Sequence, residues 1–219
     1  METPKSIKDS GREPTDEELA GFYEKLATDK HSDGNWMWSN EHIDESFGRV
    51  QFMLEHLEPG TSVLECGCCD GGMSRHIANA VGESGNVTLI DISPTFVERA
   101  KEFLGSSDTK LEFLVRDART FNTRRRYDVI VAMEILEHVP DPRQLLSNLY
   151  KLLKKNSGKI LVTAPYNVSD TLGEHLHEFD ASDVANIVGD SVGHHVSVEQ
   201  RGNTLFAVID KSSKVPYVP

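Results

Sequence analysis

The chain has 219 residues, 38% of them hydrophobic and 26% charged, with a formal net charge of −12. That length suits one domain with a single sizeable core. The acidic balance argues against nucleic acid as a partner, and no apolar run approaches the roughly 18 residues of a membrane span.

Residues 1–14 are polar, carry Pro4, Gly11 and Pro14, and read as a disordered segment. A single domain then runs over 15–210, followed by a polar tail at 211–219. Within the domain, 15–58 reads as N-terminal helices with a lid, and 61–210 as the core. Thr15 to Glu18 has capping-box spacing, and Leu19, Phe22, Tyr23 and Leu26 follow at helical period. The loop from Asp29 to Asn40 holds Trp36, Met37 and Trp38. These aromatics either anchor the helices on the core or cover a substrate. A second helix is expected from about Glu41 to Leu57, with Ile43, Phe47, Val50, Met53, Leu54 and Leu57 on its apolar face.

From Thr61 strands and helices alternate. Strands are expected at 61–66, 86–92, 111–115, 127–133 and 159–163, and helices at about 73–81, 94–104 and 142–153. Ser93-Pro94 reads as an N-cap followed by proline at the first helical position. A long loop covers Ala164 to Phe179, and a further helix starts at Asp180 and runs to about Val188. The runs 194–200 and 204–210, split by Arg201-Gly202-Asn203, read as a β-hairpin. The fold class is therefore α/β, doubly wound and mostly parallel, with a C-terminal antiparallel hairpin. Ligands of such folds sit at the carboxyl ends of the strands, beside the switch point. The three cysteines, Cys66, Cys68 and Cys69, are too close together to staple a fold, so a reducing cytoplasm is the default. The basic run Arg124 to Arg126 reads as a solvated loop.

Chemistry concentrates after the first core strand, in Val63-Leu64-Glu65-Cys66-Gly67-Cys68-Cys69-Asp70-Gly71-Gly72. Glycines here let the backbone turn tightly, and the following helix aims free N–H groups at a ligand. The spacing is neither a dinucleotide fingerprint nor a phosphate loop. It resembles motif I of the class I S-adenosylmethionine-dependent methyltransferases, with Cys69 where a middle glycine is usual. Asp91, at the end of the second core strand, is placed to accept both hydroxyls of a ribose, and Ile92 to pack on an adenine. The resemblance implies that Asp117 takes the adenine amino group and that the backbone at Ala118 meets a ring nitrogen. The segment from Tyr127 to Asp141 resembles the fourth-strand region of quinone-biosynthesis and related small-molecule O-methyltransferases. The family implies a seven-stranded sheet and S-adenosylmethionine as cofactor, held by Glu65, Gly67, Cys69, Gly71, Asp91, Ile92, Asp117, Ala118 and Glu134.

His138 is either the base that removes a proton from a hydroxyl acceptor or a cap on the following turn. Glu134, Glu137 and His138 share a face if that segment turns helically, and two carboxylates with an imidazole suit Mg²⁺ or Mn²⁺. His175 is a candidate fourth ligand, with His177 as its alternate. This pattern resembles the metal sites of small-RNA 2′-O-methyltransferases and of metal-binding quinone O-methyltransferases. The leading expectation is an enzyme that methylates a small molecule at oxygen. The alternatives are a metal-dependent RNA 2′-O-methyltransferase, which should carry a basic groove, and a non-catalytic cofactor-binding protein. A nicotinamide oxidoreductase lacks its glycine fingerprint here. Oligomeric state is open.

Overall fold

A computed structural model describes residues 12–30, 43–167 and 175–212. The tryptophan loop, Gly173, Glu174 and most of both terminal segments lie outside the described residues. Among the described residues, six α-helices and seven strands follow in the order α1 (Asp16–Lys30), α2 (Ile43–Leu54), β1 (Ser62–Cys66), α3 (Gly72–Val81), β2 (Asn86–Asp91), α4 (Pro94–Leu104), β3 (Lys110–Val115), β4 (Val129–Met133), a 3₁₀ turn (Leu136–His138), α5 (Pro142–Leu152), β5 (Lys159–Pro165), α6 (Ala181–Val192), β6 (Val198–Arg201) and β7 (Thr204–Asp210). None of the described helices is long and apolar enough to cross a membrane.

The strands form one sheet in the order β3-β2-β1-β4-β5-β7-β6. Pairing is parallel from β3 to β5, and β7 enters antiparallel between β5 and β6. This is the class I methyltransferase topology expected of the sequence. Both faces are covered, so β1 is buried at every position, the polar Ser62 and Glu65 included. Alternate side chains feed two cores. Leu64, Ile90, Ile130 and Ile160 pack towards α5 and α6, while Val63, Leu89, Val131 and Leu161 pack towards α2, α3 and α4.

Local signals set most boundaries. The Ser93 hydroxyl accepts from Phe96 N–H at 3.2 Å, with Pro94 in the first turn of α4. Thr15 and Glu18 exchange the two bonds of a capping box at 3.3 and 2.8 Å. Several boundaries differ from expectation: α2 stops at Leu54 rather than Leu57, and β5 takes in Ala164 and Pro165, where a loop was expected to begin. β4 begins at Val129, because Tyr127 bridges to Leu153 and the Asp128 carboxylate accepts from Ser62 N–H. α6 runs on to Val192, where Gly193 closes it at φ 72. β6 begins only at Val198, because His194 is held by the Tyr150 hydroxyl at 2.8 Å and Val196 is buried in the core.

Candidate functional site

The sheet order reverses between β1 and β4, and a cleft opens at the carboxyl ends of the strands there. Every chain segment that leaves β1, β2, β3 or β4 contributes to its wall, and α1 and α2 close it from above. Of the expected cofactor residues, Glu65, Gly67, Cys69, Asp91, Ile92, Asp117, Ala118 and Glu134 line this cleft, as does His138.

The turn after β1 is built by backbone conformation. Gly67 has φ 74, and its N–H reaches Ile90 O at 2.8 Å. Cys69 takes φ 49, the left-handed region that favours glycine, and its N–H donates to Asp91 at 3.0 Å. Burial pushes the Cys69 thiol well above its ordinary pKa, so it is not a ready nucleophile. Gly71 departs from expectation, because it does not line the cleft. It caps α3 at φ 88, and a Cβ there would stand 3.1 Å from Ala100 Cα, so close packing of α4 demands the glycine.

The carboxylates at the strand ends differ in how they are satisfied. Asp91 accepts from Ser93 N–H at 2.9 Å on one oxygen and from Cys69 N–H on the other. Burial still pushes its pKa up to about 6. Asp117 is gripped by the Arg119 guanidinium, whose Nε lies 3.0 Å from Oδ2, while Arg119 Nη2 also reaches Asp16 of α1 at 2.7 Å. Its carboxylate is thus already engaged where the resemblance would have it meet an adenine amino group. Glu65 is only 3% exposed, and its Oε2 has no hydrogen-bond partner. Burial pushes its pKa up to about 8, with the Asp91 charge adding to the shift.

Beyond β4 the backbone bends sharply. Glu134 sits at φ 48, a conformation that costs of order 1–3 kcal/mol for a residue with a side chain. Its N–H donates to Thr163 O at 3.0 Å, its Oε1 accepts from the Thr163 hydroxyl at 2.8 Å, and its Oε2 pairs with Arg49 at 3.3 Å. The 3₁₀ turn that follows brings Glu137, His138 and His175 together, with one ligand atom of each within 4.8 Å of the others. Three of the four expected metal ligands therefore meet. Glu134 does not join them, because Thr163 and Arg49 hold its carboxylate. His177 is also elsewhere, with its Nε2 2.9 Å from Val139 O. The segment after β5 docks on this turn through Leu176 N–H to Glu137 O at 2.7 Å. Glu137 is fully buried and neither carboxylate oxygen has a hydrogen bond; burial, then the charge of Glu134, hold it well above the usual carboxylate range.

Several lining residues escaped the sequence reading. Leu19, Tyr23 and Leu26 of α1 face the cleft, as do Arg49 of α2 and Arg119. Tyr23 stands edge-on to His138 with ring centres 5.7 Å apart. α1 is tied down by Glu24, which accepts from the Ser93 hydroxyl at 2.6 Å and the Thr95 hydroxyl at 2.5 Å. An arginine on an amphipathic helix carries no sequence signal for such a place. The helical spacing of Leu19, Tyr23 and Leu26 did mark the apolar face of α1, without saying what it faces.

Residues 63–156 match the family model described as "Methyltransferase domain". The chain is 40% identical over 118 residues to a 2-methyl-6-phytyl-1,4-hydroquinone methyltransferase of Synechocystis sp., covering 53% of this chain and 36% of that one. It is 32% identical over 99 residues to a ubiquinone biosynthesis O-methyltransferase of Coxiella burnetii, covering 43% of this chain and 40% of that one. The alignments thus span well under half the length of these curated relatives. Among solved structures, the N-methyltransferase NodS of Bradyrhizobium japonicum in complex with S-adenosyl-L-homocysteine has the same fold, with TM-score 0.66 and 19% identity over 85% of this chain and 97% of that one.

Proposed function

We propose that this chain, a class I S-adenosylmethionine-dependent methyltransferase by its fold and the domain it carries, transfers a methyl group to a small-molecule acceptor at oxygen. The observation that carries the reading is the buried Glu65 carboxylate, whose Oε2 lacks a partner at the end of β1, beside the glycine turn. A buried carboxylate without a cation is costly, and an ammonium group offsets that cost. The amino-acid end of S-adenosylmethionine supplies one.

The other residues fit the same molecule. Each Asp91 oxygen accepts one backbone N–H and keeps a lone pair for a ribose hydroxyl. Ile92 and Ala118 offer apolar surface for an adenine. Arg49 is the cation for the cofactor's carboxylate, and Cys69 and Gly67 shape the backbone that approaches it. The cofactor brings an activated sulfonium methyl, so the chain mainly aligns acceptor, methyl and sulfur and excludes water. Tyr23, Ile135, His138 and Val139 wall the end of the cleft beside β4. One imidazole among apolar walls suits a hydroxylated, largely apolar acceptor, consistent with the hydroquinone and ubiquinone in the relatives' names. His138 would take the hydroxyl proton as the methyl is transferred.

A second, metal-assisted form is favoured by the Glu137, His138 and His175 cluster. Mg²⁺ or Mn²⁺ bound there would orient the acceptor oxygen and lower its pKa. The buried, unbonded Glu137 oxygens fit a cation. RNA as acceptor is disfavoured, since Arg119 is spent on Asp117 and Asp16 and Arg125 on Glu112.

The test is a screen of hydroxylated acceptors with radiolabelled S-adenosylmethionine, with and without EDTA. Label transfer to a small molecule is expected. Calorimetry giving tight NAD binding and no S-adenosylmethionine binding would end the reading. Loss of turnover in EDTA, restored by Mn²⁺ or Mg²⁺ with cofactor affinity unchanged, selects the metal form. Full activity in EDTA, with His138→Ala slowed about 10²–10⁴-fold, selects the metal-free base.

A further inference from the structure

The cleft has a device that neither the motifs nor the relatives point to. Arg49 reaches the site from α2, far from the strand-end residues in sequence, and its side chain is only 11% exposed. A long, flexible cation in such a place needs an anchor to aim it. That anchor is Glu134, and Glu134 is itself anchored. It accepts the Thr163 hydroxyl on Oε1 at 2.8 Å and holds Arg49 Nη1 by Oε2 at 3.3 Å. Its left-handed backbone is fixed by the bond from its N–H to Thr163 O at 3.0 Å. Thr163 therefore grips Glu134 twice, once through the main chain and once through the side chain.

Thr163 is fully buried in β5 and does not line the cleft, so it has no access to a ligand. Its neighbours along the strand are Val162 and Ala164, and a valine would fill the same volume. A buried hydroxyl between apolar neighbours is a desolvation cost unless it is used. Here it is used on a carboxylate that pairs with Arg49. If ribose lies at Asp91 and the ammonium at Glu65, the molecule extends across β1 towards β4, which places its carboxylate at the Arg49 end.

We propose that Thr163 is a positioning residue: its hydroxyl fixes the Glu134 carboxylate so that Glu134 aims Arg49 at the carboxylate of the cofactor. The inference rests on the cofactor reading given above. The competing explanation is that Arg49 only neutralises Glu134 and the nearby Glu137, with Thr163 serving the stability of the turn.

Calorimetry with two ligands separates these. S-adenosylhomocysteine carries the carboxylate; 5′-methylthioadenosine keeps the adenosine and lacks the amino-acid group. Thr163→Val should weaken S-adenosylhomocysteine roughly tenfold, the effect of one buried hydrogen bond, and leave 5′-methylthioadenosine unchanged. Thr163→Ser should restore the first affinity. Arg49→Met should erase the difference between wild type and Thr163→Val. Equal weakening of both ligands, or no weakening, overturns the proposal. Should Thr163→Val fail to fold, Glu134→Gln tests the same aim, because its amide oxygen can still accept from Thr163 while the negative charge that holds Arg49 is gone; an unchanged ratio of the two affinities in that variant also overturns it. Failure of the wild-type protein to bind either ligand would instead count against the cofactor reading itself.

Discussion

The two halves of the cleft treat buried carboxylates in opposite ways. At the β2 and β3 ends, Asp91 and Asp117 are satisfied by the chain's own groups, two backbone N–H donors for one and Arg119 for the other. At the β1 and β4 ends, Glu134 is held by Thr163 and Arg49, but Glu65 Oε2 and both oxygens of Glu137 are buried with no hydrogen bond. The first half is a finished surface that needs a ligand only for its remaining lone pairs. The second is incomplete: burial holds its unpartnered carboxyls towards the protonated form until a cation arrives. Affinity for the adenosine portion should therefore depend on shape and hydrogen bonds, while the amino-acid and acceptor portions depend on charge.

The largest expected effect breaks the finished half. Asp91→Ala removes the acceptor for two hydroxyls and frees Cys69 N–H, and should weaken S-adenosylhomocysteine by about 1–3 kcal/mol in calorimetry. Wild-type affinity should also fall as pH drops through about 6, where Asp91 takes up its proton. A variant that binds as tightly as wild type would show that this half is held by apolar contact alone.

The incomplete half gives a stability effect of opposite sign. Glu65 is held at about 8 in the folded chain against an ordinary 4.5, so the folded state binds the extra proton. Its contribution to stability is present at low pH and is lost as pH rises through that window towards 8. Glu65→Gln should flatten this loss. Without ligand at pH 8 it should melt at least roughly 2–4 °C above wild type, the shift that about 1 kcal/mol makes in a domain of this size. It should also bind S-adenosylhomocysteine less well. A lower melting temperature for Glu65→Gln would mean that Glu65 is satisfied in the free protein and the two halves are alike.

The smallest effect is at Cys69, where the halves join. Glycine adopts φ 49 without strain, so Cys69→Gly should change cofactor affinity by less than about twofold and stability by no more than ~1 kcal/mol. A large loss of binding would assign the sulfur a role of its own.

Much of this was legible from residue order. Unbroken apolar runs such as Val129 to Ala132 have one place in a covered parallel sheet, and an acidic residue just after such a run, like Asp91, has one place relative to the cleft. The spacing of Glu134, Glu137 and His138 marked a segment where a helical turn would gather ligands, and the turn does gather the last two, with Glu134 held apart. What stayed hidden depends on pairing between distant segments. Arg119 could not be seen to occupy Asp117 and Asp16 together, nor Ala100 to be the reason for Gly71, nor Thr163 to divert Glu134 from the cluster with His175. The late start of β6 was hidden for the same reason, since it follows from the contact of His194 with Tyr150.

The reversed last strand decides how this protein can be handled. β7 sets out beside Pro165, at the cleft edge of the sheet, and finishes beside Lys159, at the opposite edge. A fluorophore or surface tether attached just beyond Asp210 would stand behind the sheet, a full strand length from any ligand. The same attachment ahead of α1 would sit over the mouth. Biosensors made from this domain should therefore be immobilised by the former route, and dyes meant to report occupancy belong on the latter.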